Sequence, residues 1–325
     1  MNPWRATALL AGLLLVAGCA PGASPSATGS PRPVAPAPVV SPSGVAPQSA
    51  TPTASAGPSA ATTDAPSAWR HVYLIVMENH GYDAIVGSAK APFENRLIAR
   101  YGLVTGLHAT THPSEPNYIA LTSGGVHGVS SDGVYDLDVP NLLDQVEASG
   151  RTWRVYAQGY PGSCFTGALA PATVDGPGKA GEYVRKHNPA ISYTSISGNP
   201  SRCTRITGLA GFDPAAADLE LIVPNEVNDM HSSSVAAGDA FLASFVPLIT
   251  DSPAFDGSIL IITWDEGTSD AGGGGHVATI VAGPGIAPGS RFGGPTSHYS
   301  ILRSIETAWG LPLLGAAATA SALIP

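Results

Sequence analysis

The stretch HVYLIVMENH, residues 71–80, decides the fold class of this chain. Residues 72–77 form an unbroken apolar run that is rich in β-branched and aromatic side chains, which favours a strand. No polar residue alternates with them, so we predict a strand that is buried on both faces, as in a parallel sheet. Three polar residues, Glu78, Asn79 and His80, follow where this strand would leave the sheet.

Apolar strands and amphipathic helices continue to alternate along the chain. Further strands are predicted for GLVTGL (102–107), TWRVYA (152–157), LELIVP (219–224), SILIITW (258–264) and VATIVAG (277–283). Helices are predicted for PFENRLIARYG (92–102), PNLLDQVEASG (140–150), GDAFLASFVPLI (238–249) and SILRSIETAWG (300–310). The first two of these helices begin at a proline and end at a glycine, as helices commonly do. We therefore expect an α/β fold with a mostly parallel central sheet and helices on both faces.

The start of the chain carries sorting and spacer signals. Residues 1–19 combine a basic start, a short apolar run and small residues before Cys19, which predicts a lipoprotein signal peptide with lipidation of Cys19. An ordinary signal peptide is the alternative. Residues 20–66 are nearly all Ala, Pro, Ser, Thr, Gly and Val, and this composition predicts a disordered tether. We expect an exported protein, either anchored to the membrane by this lipid or secreted, with one domain over residues 67–325.

Charge and cysteine content narrow the class of protein further. The net charge is -9, and the 15 basic residues form no cluster, so nucleic-acid binding is not expected. Once Cys19 is assigned to the anchor, Cys164 and Cys203 remain in the exported part. Two cysteines in an oxidising compartment predict a disulfide, and two separate buried thiols are the alternative.

Polar side chains follow several predicted strands at the point where each strand ends. Besides residues 78–80, they are His108, then Asn225, Asn228, Asp229 and His231, and then Asp265 and Glu266. Because the carboxyl ends of parallel strands share one edge of a sheet, we expect these side chains to lie close together. Converging carboxylates repel one another unless a cation lies between them, so the pattern predicts a divalent-metal site. Its predicted ligands are Glu78, Asn79, Asp265 and Glu266, and the alternative is a set of solvated surface acids.

The candidate nucleophile lies in THPSEPNYIALTSG, residues 111–124. Pro116 fits the first turn of a helix, so Ser114 is expected just ahead of the helix N-terminus, where free N–H groups favour an anion. A serine hydroxyl needs a base or a metal ion to become nucleophilic, so Ser114 is also predicted to be a metal ligand. Asn117 is expected to donate a hydrogen bond to a phosphoryl oxygen. The alternative is that Ser114 only caps the helix, and the rival hydroxyls are Thr110, Thr111 and Ser123.

Six segments together resemble one known family. They are IVMENHGYD (75–83), THPSEPNYIALTSG (111–124), YVRKHNP (183–189), VPNEVNDMHS (223–232), ITWDEG (262–267) and SHYSILRSIETAWGLP (297–312). In this order they resemble the bacterial phosphoesterase family of acid phosphatases and phospholipases C, within the alkaline phosphatase superfamily. The resemblance implies an alkaline-phosphatase-like fold and a phosphoesterase domain over residues 67–325.

The resemblance also implies roles for individual residues. Glu78 and Asn79 match the first metal-ligand pair of the family, and Asp265 and Glu266 match its late acidic pair. Ser114 falls where the superfamily keeps its serine or threonine nucleophile, ahead of a Pro-Asn step.

Several histidines receive roles by the same resemblance. His187 and His231 match histidines that contact phosphate or move protons. The candidates for further metal ligands are Asp229, His276 and His298. The glycine run at 272–275 lacks the Lys-Ser/Thr ending of a phosphate-binding P-loop and is interpreted as a flexible lid. The residues interpreted as structural or as part of the rim are His108, His112 and His127.

The expected function is hydrolysis of small phosphate monoesters through a phosphoserine intermediate. The expected cofactor is a divalent metal ion, with Ca, Mg, Mn and Zn as the alternatives, and His276 or His298 is a candidate for completing a second metal site. Contact with a membrane is expected only through the lipid anchor. One alternative is a phosphodiesterase of the phospholipase C type, for which residues 159–217 are the candidate source of an apolar groove. Another alternative is a non-catalytic surface lipoprotein on a degenerate phosphatase fold.

Overall fold

A computed structural model describes residues 69–324 of the chain. The predicted signal peptide, the lipidation site at Cys19 and the predicted tether lie outside the described residues, and they stay predictions.

One eight-stranded sheet forms the centre of the described domain, in the strand order β11-β2-β10-β9-β1-β8-β4-β7. Strand β10 runs antiparallel to its neighbours β9 and β2, and all other pairs in this sheet are parallel. The strands are β1 Val72–Met77, β2 Gly102–Val104, β3 Leu107–His108, β4 Trp153–Ala157, β5 Leu169–Thr173, β6 Gly181–Val184, β7 Ile206–Thr207, β8 Leu219–Val223, β9 Ile259–Trp264, β10 Thr279–Ala282, β11 Ser290–Phe292 and β12 Thr296–Ser297. Two small sheets pair β12 with β3 and β5 with β6.

The helices fill the connections between these strands. They are α1 Tyr82–Ile85, α2 Pro92–Arg100, α3 Ser114–Ser123, α4 Leu142–Ala148, α5 Pro189–Ser192, α6 Thr194–Ser197, α7 Pro200–Cys203, α8 Val235–Thr250 and α9 His298–Trp309. Helix α2 packs against α8, and α3 packs against α9. Every residue of β1, β8 and β9 is buried, so both faces of the central strands are covered. The predicted α/β fold with a mostly parallel sheet is confirmed.

Two local features differ from the expectations. The run at 102–107 is not one strand, because Gly106 approaches the backbone of Gly294 so closely that an added Cβ would lie 2.1 Å from the Gly294 carbonyl oxygen. This contact separates β2, in the main sheet, from β3, which pairs with β12. Helix α3 begins at Ser114, so Ser114 lies in the first turn of the helix rather than just ahead of it as expected.

Residues 159–217, which show no clear periodicity in sequence, form a hairpin of β5 and β6, three one-turn helices and the edge strand β7. A disulfide between Cys164 and Cys203 joins the start of this segment to α7, with the two Cα atoms 5.2 Å apart. The predicted pairing is therefore present, and the alternative of two separate thiols is wrong.

Candidate active site

Three neighbouring strands bring carboxylates to one edge of the sheet. Glu78 follows β1, Asp265 follows β9 on one side, and Asp229 lies in the loop after β8 on the other. Backbone hydrogen bonds fix the three loops: the Glu78 N–H donates to the Asp229 carbonyl at 2.9 Å, and the Asp265 N–H donates to the Met77 carbonyl at 2.9 Å. The Asn79 N–H donates to Oδ1 of Asp265 at 3.0 Å. The strand-end pattern in the sequence therefore places acids from three separate segments together.

These carboxylates are buried, and burial disfavours their charged forms. Burial raises the pKa of Glu78 to about 7, against a hydrogen bond from Tyr118, and raises the pKa of Asp229 to about 7, against a hydrogen bond from His187. Burial holds the pKa of Asp265 well above its usual range, and the negative charge of Glu78 adds to this effect. Oδ2 of Asp265 is buried without a hydrogen-bond partner, and Oδ2 of Asp229 has only Nδ1 of His187 near it, at 3.4 Å. Buried carboxylate oxygens of this kind fit the donor chemistry of a hard divalent cation.

The side chains as they stand do not enclose an ion. Within residues 69–324, no group of three Asp, Glu, His or Cys side chains has the arrangement of a metal site. The donor set fits a cation through the chemistry of its buried carboxylate oxygens, and not through a closed coordination shell.

Ser114 lies directly beside this cluster. Its hydroxyl donates to Oε2 of Glu78 at 3.1 Å, and one turn later the Tyr118 hydroxyl donates to Oε1 of the same carboxylate at 2.6 Å. All ten residues of α3 are buried, which includes both of these side chains. The start of α3 is therefore joined to the end of β1 through one carboxylate.

Asn117 holds the segment that precedes Ser114. Its Oδ1 accepts the N–H groups of Thr110 and Thr111 at 2.9 and 3.1 Å, and its Nδ2 donates to the carbonyls of Thr111 and Pro113 at 2.8 and 3.1 Å. An amide has two N–H hydrogens, so both are already used. Asn117 therefore has no N–H hydrogen left to donate to a phosphoryl oxygen, contrary to expectation, and its amide instead holds the loop before Ser114 in place.

The glycine run at 272–275 supports the same loop from the other side. The Ala109 N–H donates to the Gly275 carbonyl at 2.9 Å, and the Gly274 N–H donates to the Ala109 carbonyl at 3.0 Å. A Cβ on Gly273 or Gly274 would lie 2.2 Å from the carbonyl oxygen of Thr110 or Thr111, respectively. The interpretation as a flexible lid is wrong, because the run packs backbone to backbone against the segment that leads to Ser114.

His187 lies within the cluster. Its Nε2 is 3.2 Å from Oε1 of Glu78, and its Nδ1 is 3.4 Å from Oδ2 of Asp229. The ring stacks on Tyr118 with the centroids 5.3 Å apart. This buried imidazole therefore bridges the carboxylates that follow β1 and β8.

His231 lies at the more exposed side of the cluster and is held by two charged residues that the sequence analysis did not select. Its Nδ1 is 2.6 Å from Oε2 of Glu226, and its Nε2 is 3.2 Å from Nζ of Lys186. The hydrogen bond that the His231 ring donates to the Glu226 carboxylate raises the pKa of His231. Although burial opposes the change, the hydrogen bond with His231 lowers the pKa of Glu226 to about 2. Glu226 and Lys186 lie within the segments 223–232 and 183–189, which resemble the phosphoesterase family, and this resemblance was the signal in the sequence that could have identified them.

Glu266 lies close to the cluster but already has a partner. Its Oε2 is 2.8 Å from Nδ1 of His112, whose Nε2 is 3.1 Å from the carbonyl of Ser269. His112 had been interpreted as structural or part of the rim, and the structure places it against a predicted metal ligand.

The two remaining histidine candidates lie apart. Nε2 of His276 is 3.0 Å from the Thr105 carbonyl, and its ring stacks between Tyr82 and His108. His298 is buried with Nε2 3.0 Å from the Trp264 carbonyl, and burial lowers its pKa to about 4. In the described part of the chain, no hydrogen bond or ion pair joins either histidine to the carboxylates, so the structure does not bring these two candidates to the predicted metal site.

The helices of the described domain were compared with the length and hydropathy of a membrane-spanning helix. None of the helices between residues 69 and 324 combines the length and the hydropathy that a transmembrane span requires.

The fold and the site define a class, a hydrolytic enzyme with a serine beside buried carboxylates at the carboxyl edge of a mostly parallel sheet. The phosphoesterase family matches residues 88–312. A phosphatidylinositol-3-phosphatase of Mycobacterium tuberculosis is 32% identical over 252 residues, which are 77% of this chain and 80% of that protein. The chain belongs to the phosphoesterase family and is a phosphoric ester hydrolase, as the sequence predicts.

Two further similarities concern an acid phosphatase sequence and a solved fold. An acid phosphatase of Aspergillus fumigatus is 28% identical over 259 residues, 76% of this chain but only 56% of that longer protein. A solved structure from Vibrio parahaemolyticus, described as a protein in the alkaline phosphatase superfamily, has a TM-score of 0.50 and 13% identity and covers 79% of this chain and 72% of that chain. At this identity the likeness concerns the fold alone, and it confirms the alkaline-phosphatase-like architecture.

The packing of the glycine run leads to a first prediction. Gly274→Ala places a methyl group against the Thr111 carbonyl and should move the segment that positions Ser114. We expect kcat to fall by about a hundredfold, because small displacements of reacting groups are costly, while the protein stays folded. Gly293→Ala is the matched control, since its nearest neighbour, Oγ1 of Thr105, is 3.8 Å away. Steady-state kinetics and thermal melts check both variants, and equal kcat values for the two would contradict this packing argument.

Proposed function

We propose that this enzyme hydrolyses phosphate monoesters through a phosphoserine on Ser114, in a metal-dependent reaction. The supporting observation is the contact of 3.1 Å between Oγ of Ser114 and Oε2 of Glu78 among buried carboxylates. The N-terminus of the ten-residue helix α3 adds a positive dipole end beside this hydroxyl, which favours a phosphoryl group. Both curated relatives reported above have phosphatase names, which supports monoesters over the diester alternative.

The proposed chemistry balances as two displacements at phosphorus. The Ser114 hydroxyl gives its proton to Glu78 as its oxygen forms the new bond to phosphorus, and the bond to the leaving alcohol breaks. His231, which is more exposed than His187, gives a proton to the leaving oxygen. Water then attacks the phosphoserine from the side that the alcohol left, and His231 takes up a proton of that water. The bond between phosphorus and the Ser114 oxygen breaks, Glu78 returns its proton to Ser114, and inorganic phosphate leaves. His187 stays between Glu78 and Asp229 and fixes their orientation.

A divalent cation is part of this proposal. Its proposed ligands are Glu78, Asn79, Ser114, Asp265 and Glu266, with Asp229 as a further candidate. When bound, such an ion supplies positive charge that stabilises the developing charge on the phosphoryl oxygens. The oxygen-rich donor set suits Ca, Mg or Mn best, and Zn is the alternative.

We further propose that the domain works outside the cytoplasm, held to a membrane by a lipid on Cys19. The disulfide in the described domain supports export, since disulfides persist in oxidising compartments.

Removal of the nucleophile is the first test. Ser114→Ala should lower kcat with p-nitrophenyl phosphate by at least about a thousandfold, because the covalent route is lost. Ser123→Ala is the matched control on the same helix: its buried hydroxyl donates to the Ile119 carbonyl at 2.6 Å, so it loses about 1 kcal/mol of stability but no reacting atom. Comparable activity in the two variants would rule Ser114 out.

The metal proposal is tested by measuring the metal content of the protein and its phosphatase activity. Asp265→Asn should lose the bound cation in elemental analysis and lose turnover, because it removes a buried charge from the proposed ligand set. Glu94→Gln is the control: burial raises the pKa of Glu94 to about 9, so this buried carboxyl is already neutral at pH 7. Glu94→Gln should keep its metal. Stoichiometric metal in Asp265→Asn, or full wild-type turnover after a chelator has removed all metal, would refute the assignment.

The anchor is tested by fractionation. Cys19→Ala should move the protein from the membrane fraction to the soluble exported fraction, because the thiol that receives the lipid is absent. Unchanged membrane retention and an unmodified mass of the wild-type N-terminal peptide would count against lipidation.

A further inference from the structure

One lysine beside the candidate active site has no role in the chemistry proposed above. Nζ of Lys186 is 3.2 Å from Nε2 of His231, the group proposed to give a proton to the leaving oxygen. The Lys186 side chain is 19% exposed, so a molecule that enters from solvent can reach it. Burial disfavours its charge, but neighbouring carboxylates, Asp132 foremost, outweigh burial and raise the pKa of Lys186. Lys186 therefore brings a positive charge to the place where a phosphate group is expected.

The backbone that carries Lys186 is held on both sides. Lys186 is the middle residue of a 3-10 turn that directly follows β6. Before it, the buried guanidinium of Arg185 donates to the Thr166 carbonyl at 2.8 Å and to Oδ1 of Asp136 at 3.0 Å. After it, His187 lies among the buried carboxylates, and α3 packs against the turn. The ammonium group can therefore be redirected by rotation of the side chain, without a movement of the backbone.

The Asp132 carboxylate occupies two donors at the start of α3. Its Oδ1 accepts the Glu115 N–H at 3.0 Å, and its Oδ2 is 3.1 Å from Nζ of Lys186. Glu115 directly follows Ser114 in the first turn of α3, so this N–H is one of the groups that the helix itself leaves without a partner. A helix N-terminal N–H beside a cation is a donor set that favours a phosphoryl group. A carboxylate of the protein thus occupies donors that suit the phosphoryl group of a substrate.

The Asp132 side chain can leave these donors without a movement of its loop. It lies in the connection between α3 and α4 and is 34% exposed, so water can solvate the released carboxylate. The next residue holds the loop independently, because the Gly133 N–H donates to Oε2 of Glu115 at 2.7 Å. Further along, Arg185 binds the same loop through Asp136. Exchange of one anion for another at these donors therefore needs only side-chain rotations.

We propose that Lys186 binds the phosphoryl oxygens of the substrate, and that Asp132 competes with them for Lys186 and for the Glu115 N–H. The proposal rests on the monoesterase function argued above and adds two residues to its site. In the free enzyme Asp132 occupies both donors, and an incoming phosphoryl group displaces it. Asp132 returns to the donors when inorganic phosphate leaves, so its competition favours release of the product.

Binding of inorganic phosphate, the product, tests the two roles separately. Calorimetry on the protein as purified should show that Lys186→Met raises the Kd for phosphate by at least about tenfold, because a charge-assisted hydrogen bond is lost. Asp132→Asn keeps the size of the side chain but removes its charge. It should lower this Kd by about fivefold, because the donors are free in a larger fraction of the molecules. Lys90→Met and Asp138→Asn are the matched controls at exposed positions, and both should leave the Kd unchanged.

The opposite signs distinguish this exchange from an ion pair that only fastens the loop. Loss of a fastening contact would weaken phosphate binding in both variants or in neither, and either result would overturn the proposal. Thermal melts identify a variant that does not fold. If Lys186→Met does not fold, Asp132→Asn decides alone, and a Kd at or above the wild-type value then overturns the proposal.

Steady-state kinetics with p-nitrophenyl phosphate give a second measurement. Lys186→Met should raise KM and the inhibition constant of phosphate together, and Lys186→Arg, which keeps the charge, should restore most of both. Asp132→Asn should lower the inhibition constant, so that product inhibition becomes stronger. An inhibition constant that rises in Asp132→Asn, or a Lys186→Arg variant as impaired as Lys186→Met, would contradict the proposed exchange.

Failure of this proposal is distinguishable from failure of the proposed function. In Ser114→Ala protein, which lacks the proposed nucleophile, the Kd for phosphate should rise with Lys186→Met and fall with Asp132→Asn as before. That order, in a protein whose wild type hydrolyses no monoester, would support the anion exchange and refute the monoesterase function. Wild-type hydrolysis through Ser114, with a Kd that neither substitution changes, would support the function and overturn the exchange.

Discussion

The burial of carboxylates at the ends of three adjacent strands is the constraint on which the rest of this site depends. Removing an ionised carboxylate from water costs several kcal/mol unless partners replace the lost hydration. Glu78 has such partners in Ser114, Tyr118 and His187, whereas Oδ2 of Asp229 faces only His187 and Oδ2 of Asp265 has no hydrogen-bond partner. The protein maintains this arrangement because the strands themselves are fully buried and cannot move apart. A stable core thus supports a cluster that would be unfavourable by itself.

The loop before Ser114 shows how the same core fixes the reacting hydroxyl. Asn117 binds this loop from the side of α3, and the glycine run packs on it from the side of β9. Neither feature reacts, yet together they limit where Ser114 can lie relative to Glu78. Preorganisation of this kind lowers the cost of reaching the reactive geometry.

The sequence predicts the strands and their acidic ends well, because buried parallel strands give continuous apolar runs and the polar residue after each run marks its end. Contacts between distant segments are not encoded in that local pattern. The pairing of Glu226 with His231 and of His112 with Glu266 depends on how separate loops meet. The glycine run had the composition of a mobile loop, but the close approach of its backbone to Thr110 and Thr111 explains the absence of side chains at Gly273 and Gly274.

The most direct test of the account is the identity of the residue that carries phosphate during turnover. Wild-type enzyme is mixed with p-nitrophenyl phosphate, quenched in acid within one turnover, digested and mapped by peptide mass spectrometry. The account predicts one added phosphoryl group on Ser114, within the peptide that contains residues 111–124. Phosphate on Thr110, Thr111 or Ser123 instead, or a rapidly quenched enzyme without any phosphorylated residue, would contradict it.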